Sequence, residues 1–358
     1  LSPHQAAPDV EAGAAKPEAA PQPAIAEPAT ASRVPNDLVW AALQLIEELA
    51  QYSAHLRQQN WLRWEYDPES VKGSLLLMSN AAEMATLQPL LAVLEQAGLT
   101  IEQLDAAATR KVEPGLNENI PLAGALRLPQ GHAANGRLSA QVQRHIAQQL
   151  GVQFVHGQTV SRLIPAAAGQ KAQLMLSGQG QSSSHSCDAI IVCAGTRADA
   201  LLQPLGTYLP CVELGGYTVN APLRDETRVP RHAIVDWQEQ LTIVPQGLRV
   251  RLGAGAELGT NKKLHQATLT RMYHRLNALY PGGCQLDGAV QVWRGTRVCT
   301  PDGLPIVGAS RHSGIWLNLA HGACGNAMAE GCAQILADQL ANRPPEVNAQ
   351  ALAPGRFA

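Results

Sequence analysis

The sequence predicts an α/β fold combined with an antiparallel β region, organised as two interleaved domains. Three observations carry this. At 358 residues the chain exceeds one minimal domain. A helix, a strand, a hairpin and a buried strand ending in Ala-Gly succeed one another between residues 138 and 195, which is α/β grammar. From 206 to 292 strands separated by turns read as an antiparallel sheet.

Taken in order, residues 1–36 are rich in Pro and Ala and read as an extended or wrapping segment. Asn36 is suited to cap a helix in which Leu38, Ala41, Ala42, Leu45, Ile46 and Leu49 recur at helical spacing. "GSLLLMS" (73–79) reads as a strand, and "EMATLQPLLAVLEQAGL" (83–99) as a helix ending at Gly98. Leu138, Val142, Ile146 and Leu150 form one helical stripe, Gly151 stops that helix, and "VQFVHGQTVSRLI" continues as strand. "AQLMLSG" follows, then "CDAIIVCAG", an apolar run of the kind buried on both sheet faces. "GYTVNAPL", "HAIVDWQ", "QLTIVP" and "LRVRLGAGAEL" are strands of the antiparallel region. A helix then carries Leu264, Met272, Leu276 and Leu279 on or near one face, and "AVQVWRGTR" is a further strand. The expected division is an extended segment 1–36, one domain from 37–130 and 206–293, another from 131–205 and 294–345, and a tail 346–358.

Composition excludes several function classes. A formal net charge of -2 argues against a nucleic-acid partner. No apolar run reaches membrane-spanning length, which leaves a peripheral contact open. The seven cysteines (187, 193, 211, 284, 299, 324, 332) are odd in number and lack a Cys-x-x-Cys pair. Buried free thiols in a reducing compartment are therefore expected, not a disulfide framework. The 11 histidines lack ligand spacing, so no metal site is expected. No Gly-x-Gly-x-x-Gly fingerprint, nucleophile elbow or P-loop occurs.

Chemistry concentrates in "WRGTRVCTPDGLPIVGASRHSGIWLNLAHGACGNAMAEG" (293–331). Arg297 follows a strand and precedes a turn stiffened by two prolines; a guanidinium so held can clamp a carboxylate bidentately. Arg294 competes for the role. Gly322 and Gly325 bracket a helix start, where unpaired N–H groups and the helix dipole favour negative charge; a tightly packed ordinary helix would look the same. "CAGT" (193–196) ends a strand with small residues, allowing either close approach of a phosphate or ring, or a plain tight turn. His321 can be a proton donor or a cap, but by itself reads first as a satisfied core residue, and His4 in "LSPHQAAP" is a weaker candidate.

Together these segments resemble the D-amino acid oxidase superfamily, and within it the small, FAD-bearing chains of bacterial D-amino acid dehydrogenases. The resemblance is densest in "GALRLPQG", "LGVQF", "GYTV", "LYPGG", "WRGTRVCTPDGLPIVG", "IWLNLAHGACG" and the terminal "RF", with Val298 where the family pattern has proline. It implies an FAD-binding Rossmann-like domain interleaved with a mixed antiparallel-sheet substrate domain. Residues 131–205 and 294–345 would belong to the first, and 37–130 and 206–293 to the second. The sequence opens at a point matching the loop after the family's first dinucleotide-binding βαβ unit, so that part of the FAD domain is expected to lie outside it. The resemblance further implies that Val160, Cys193, Ala194, Gly195, Gly322, Ala323, Cys324, Gly325 and Asn326 border FAD. Arg297 would hold the substrate carboxylate and act as the catalytic residue, with His321, Tyr217 and His4 as substrate contacts. The implied reaction is oxidative deamination of a D-amino acid to a 2-oxo acid and ammonia, by hydride transfer from Cα to flavin N5. Electrons would go to a quinone or respiratory carrier, in the cytoplasm or at the inner face of the cytoplasmic membrane. Glycine- or sarcosine-type oxidation, tRNA-base modification, which the net charge disfavours, and a truncated non-catalytic flavoprotein chain are the alternatives.

Overall fold

The computed structural model describes residues 36–96, 98–178, 181–259 and 264–357, so the Pro/Ala-rich opening and His4 lie outside the described residues. The chain begins with α1 (Asn36–Trp64), β1 (Val71–Met78), α2 (Ala81–Gln96), β2 (Glu102–Asp105), α3 (Ala106–Val112) and β3 (Gly124–Ala133). Next come α4 (Gly136–Gln149), β4 (Thr159–Ile164), β5 (Ala172–Gly178), β6 (Gln181–Cys187), β7 (Ile190–Val192) and α5 (Ala198–Leu202). After them run β8 (Val212–Pro222), β9 (Ala233–Asp236), β10 (Leu241–Gln246), β11 (Arg249–Leu258) and α6 (Gln266–Leu279). The last stretch holds β12 (Gln291–Cys299), β13 (Ile306–Ala309), β14 (Ile315–Leu319) and α7 (Gly325–Leu340).

One eight-stranded sheet has the order β12-β8-β11-β10-β9-β1-β3-β2 and is antiparallel except where β1 meets β9. Its strands come from two separated stretches of the chain, 71–133 and 212–299, with β4 to β7 between them. β3 and β12 each run across an expected division, at 130/131 and 293/294. One face packs Leu75, Tyr217, Val219, Ile234, Ile243, Val250 and Leu252 against Leu269, Met272, Leu276 and Leu279 of α6. Each such large apolar side chain, fully buried, contributes about 1.5–3 kcal/mol. At the β1–β3 end, α2 covers the other face with Leu87 and Leu91 against Met78 and Leu126.

Two three-stranded sheets complete the architecture. β13-β14-β7 joins an antiparallel pair to a parallel one, and β4-β5-β6 is antiparallel. α7 leaves the end of β14 and packs along α1, burying Leu45 and Leu49 with Met328, Cys332 and Ile335. The helices approach closely because Gly331 has no side chain: its N–H donates to Ser53 Oγ at 2.9 Å, where a Cβ would collide.

Most expected elements form, with instructive departures. Gly98 and Gly151 both terminate helices in the left-handed region. In each case the following N–H reaches back five residues, Leu99 to Leu94 and Val152 to Ala147, which closes a Schellman turn. The stripe on α4 is less buried than its period suggests: none of its residues is fully buried, and Leu150, just past its end, is 68% exposed. Strand does not begin at 152; residues 152–158 find no strand partner among the described residues, and β4 starts at Thr159. Nor is the run around β7 buried on both faces, since Ile191 is 44% exposed between buried Ile190 and Val192. Leu38 and Leu264 also stay exposed. All seven cysteines are free, but only Cys284 and Cys332 are buried.

The Pro-Asp-Gly turn between β12 and β13 is clipped to the C-terminal tail. Arg356 donates to Asp302 Oδ2 at 2.8 Å and to the Leu304 carbonyl at 2.8 Å, and the Leu304 N–H donates to Asp302 Oδ1 at 3.0 Å. Burial pushes the Asp302 carboxyl up, but these hydrogen bonds outweigh it and hold the carboxyl below its usual range. A carboxylate held low stabilises the fold above its unfolded-state value of about 4, and that contribution fades as pH falls through the folded value. Asp302→Asn should therefore lower stability at pH 7, with the gap to wild type closing below about pH 4. Urea unfolding at several pH values between 7 and 3 measures this; a gap that stays constant down to pH 3 would contradict it.

Candidate active site

The site grows from β12. Successive side chains of a strand point to opposite faces, so Trp293, Gly295 and Arg297 lie on one face and Arg294 on the other. Both arginines need a neighbouring strand without side chains, and β8 supplies Gly215 and Gly216. A Cβ at Gly215 would stand 2.0 Å from Arg294 Nη2, and one at Gly216 would stand 2.9 Å from Arg297 Nη1. The two guanidiniums thus press on opposite sides of the same short stretch of sheet.

Their environments differ sharply. Arg294, on the core side, donates to Glu257 Oε2 at 3.2 Å and sits 5.9 Å from the centroid of the Tyr217 ring. The Tyr217 hydroxyl donates to Glu257 Oε1 at 2.9 Å and accepts from the His265 N–H at 3.2 Å. Desolvation pushes Glu257 up, but the hydrogen bonds from Tyr217 and Arg294 prevail and hold it low. Arg294 is therefore already neutralised. Arg297 is exposed and has no acidic partner among the described residues. Tyr217 is 1% exposed and is not brought together with Arg297, because strand alternation turns it into the core.

The other half of the site comes from β7 and β14. They are parallel neighbours, pairing Ile190 with Ile315 and Val192 with Leu317, so both strands end at the same edge. Beyond β7 lie Cys193, Ala194 and a short 3₁₀ turn, Gly195–Arg197; beyond β14 lie His321 and a second turn, Gly322–Cys324, which runs into α7. Ligands of open α/β sheets bind at such carboxyl ends. β12 touches both turns, and Cys299 Sγ lies 3.4 Å from where a Cβ of Gly322 would be. The fold thus gathers Arg297, Cys193, Ala194, Gly195, His321, Gly322, Ala323, Cys324, Gly325 and Asn326 into one region. Val160 stands apart on β4, half-buried against the cluster that includes Val192 and Leu317. Desolvation lowers the His321 imidazole, which favours its neutral form, and raises the Cys324 thiol.

Sequence reasoning did not single out Arg57, Glu330, Arg251 or Glu257. Arg57 donates to Glu330 through Nε at 3.0 Å and Nη2 at 2.6 Å, and to the Asn326 carbonyl at 2.6 Å, locking the first turn of α7 to α1. A groove of about 650 Å³ opens beside this lock, lined by residues of α1, α4 and α7 including Arg57, Ser139, Gln143, Asn326 and Glu330.

A family model described as DAO, FAD dependent oxidoreductase, matches residues 16–339. The chain belongs to this family. It is 32% identical to a D-amino acid dehydrogenase of Bradyrhizobium diazoefficiens over 296 residues, covering 82% of this chain and 69% of that protein. It is 31% identical to a D-amino acid dehydrogenase of Rhizorhabdus wittichii over 315 residues, covering 86% and 74%. Among solved structures, glycine oxidase from Geobacillus kaustophilus superposes with a TM-score of 0.73 at 19% identity, covering 86% of this chain and 80% of that one. No helix among the described residues is long and apolar enough to cross a membrane.

FAD is the cofactor of the DAO family, and the residues present fit it. α7 begins without a side-chain cap, so no side chain competes with an electron-rich ring edge for the N–H groups at the helix mouth. Gly322, in the left-handed region at φ 59°, keeps the approach free of a Cβ next to Cys299. Gly195 likewise faces open space.

The bareness of Gly216 is testable. A methyl group there must displace the free end of Arg297, whereas the Gly255 carbonyl, 3.1 Å from the same point, needs to yield only slightly. Gly216→Ala should weaken binding of a simple carboxylate such as propionate roughly tenfold, about the worth of one charge-assisted hydrogen bond, with little change in Tm. Isothermal titration beside a thermal melt tests this; unchanged affinity would show that Arg297 does not depend on the glycine.

Proposed function

We propose that this chain catalyses FAD-dependent oxidative deamination of D-amino acids to 2-oxo acids and ammonia. The acceptor we assign is a quinone or another respiratory carrier, met by peripheral contact at the inner face of the cytoplasmic membrane. Arg297 is the observation that carries this reading: an exposed guanidinium without an acidic partner among the described residues, on the strand that touches both glycine turns. The D-amino acid dehydrogenases that the chain resembles at 32% and 31% identity support the substrate class.

Arg297 binds the substrate carboxylate bidentately and thereby fixes the direction of its Cα–H bond. When bound, FAD supplies the two-electron acceptor for the hydride that leaves Cα. His321, kept neutral by desolvation, stands beside the amino group without repelling its charge. The substrate ammonium loses its proton to water, so no side-chain base is needed. The backbone of Gly322 to Asn326 at the mouth of α7 and of Cys193, Ala194 and Gly195 at the end of β7 would hold the cofactor, and Val160, apart on β4, would border it from that strand. Tyr217 acts at one remove, by holding Glu257 and with it Arg294. Water then hydrolyses the imino acid to the 2-oxo acid and ammonia. In this reading 37–130 and 206–293 supply most of the eight-stranded sheet as the substrate domain, and 131–205 and 294–345 supply the smaller sheets and α7 as the FAD domain, with β3 and β12 running past these bounds and α1 packed on α7.

Arg297→Ala should lower kcat/KM for D-alanine by about 2–4 kcal/mol, as expected when a bidentate charged contact is lost. Turnover with an artificial electron acceptor, D- and L-alanine side by side, measures it. Equal rates on both enantiomers would remove the D-specific reading, and an unchanged kcat/KM in the variant would remove the clamp.

A further inference from the structure

Arg297 is not alone on its face of the sheet. Register places four rows on that face across three strands: Arg251, Asn220 and Gln291; Gly253, Thr218 and Trp293; Gly216 and Gly295; Leu214 and Arg297. Arg251 and Arg297 start from the outer rows and lean toward each other. The Arg251 guanidinium stacks over the Trp293 ring at 5.0 Å, in the second row, and Arg297 Nη1 reaches the position of a Gly216 Cβ, in the third. Adjacent rows on one face are two residues apart, about 7 Å along the strand. Burial first, and then the facing charge of Arg297, pull the Arg251 guanidinium below its usual value.

Among the described residues, nothing on the face neutralises the pair. No residue of the four rows is acidic, nor are Thr242, Val244 and Gln246, which continue the face onto β10. Arg249, one row beyond Arg251, adds a third guanidinium, with a buried Nη1 that has no hydrogen-bond partner among the described residues. The acidic residues nearest in the register are Glu213, opposite Val298, and Glu257, opposite Gly215; strand alternation puts both on the other face, where Glu257 meets Arg294. Two cations this close without a counter-ion call for a ligand with two negative charges.

We propose that Arg251 is a specificity-determining residue that binds a second, side-chain carboxylate, so that the preferred substrates are dicarboxylic D-amino acids such as D-glutamate and D-aspartate. The proposal rests on the reading of Arg297 as the clamp for the α-carboxylate. Trp293 holds the Arg251 guanidinium in place, Gly216 gives Arg297 the space it leans into, and the bare Gly295, which faces open space, leaves room for the substrate's carbon chain.

Unreactive analogues allow a test that does not need turnover. The full chain is titrated calorimetrically with glutarate, which carries both carboxylates, and with butyrate, which carries one. Glutarate should bind about 10- to 100-fold more tightly, the range expected for one added charged hydrogen-bonding contact. Arg251→Met should abolish that preference while leaving butyrate affinity unchanged, and Arg251→Lys should retain part of it. In kinetics, kcat/KM for D-glutamate should exceed that for D-norvaline and fall selectively in Arg251→Met. Equal binding of glutarate and butyrate by the wild type, or a preference that survives Arg251→Met, overturns the role of Arg251. If butyrate binding is insensitive to Arg297→Ala, the underlying clamp fails instead, so the two failures are distinguishable.

Discussion

The parallel pairing of β7 with β14 is the constraint on which the site depends. These strands are separated by more than a hundred residues, yet their backbone ladder forces two small-residue strand ends to one edge. From there α7 departs with uncapped N–H groups, and β12 arrives from the large sheet to touch both turns. Were the pairing antiparallel, Cys193–Gly195 and His321–Gly325 would lie at opposite ends of the sheet. No choice of side chains could then place them against one ring.

A second principle divides charge between the two faces of β12. Arg294 and Arg297 are three residues apart, which in a strand guarantees opposite faces. The core face supplies Arg294 with a carboxylate and an aromatic ring, because a buried guanidinium without a partner would be costly. The open face supplies Arg297 and Arg251 with an aromatic surface and glycines and, among the described residues, no acid. The sheet thus pairs one arginine internally and leaves the others to a ligand. Consecutive glycines at 215 and 216 make both arrangements possible, one serving each face.

Much of this was legible in the sequence, and the misses have physical causes. The glycine stops at 98 and 151 and the apolar face of α6 were readable because a left-handed cap and a 3.6-residue period are local signals. The α4 stripe and the 152–158 segment misled because periodicity reports amphipathic potential, not whether another element covers it. Tyr217, expected as a substrate contact, lies in the core, and its parity with Val219 and Ala221, both apolar, is the local sign of that. Arg294 and Arg297 could not be ranked without knowing that Glu257 lies across from Gly215. Arg251 was out of reach for a similar reason. The alternation Arg-Val-Arg-Leu at 249–252 gives it a polar face, but only the sheet order β12-β8-β11 brings that face to Trp293.

The placement of the cations also bears on how firmly a ligand can be held. Arg297 stands on the edge strand β12, paired along its length with β8, and Arg251 on the interior strand β11, so the backbone positions of both charges are fixed by ladder hydrogen bonds. The segment that follows Arg297 is restrained as well: Thr300 Oγ1 donates to the Leu304 carbonyl at 2.7 Å, and Arg356 from the tail grips Asp302. β12 is therefore held laterally by β8 and at its end by the turn, which limits its sliding relative to the glycine mouth at 322. A guanidinium on such a strand needs little further ordering when it meets a carboxylate, so more of the interaction remains available for binding. The rigid turn and Arg297 thus act together: the turn holds the strand, and the strand aims the charge.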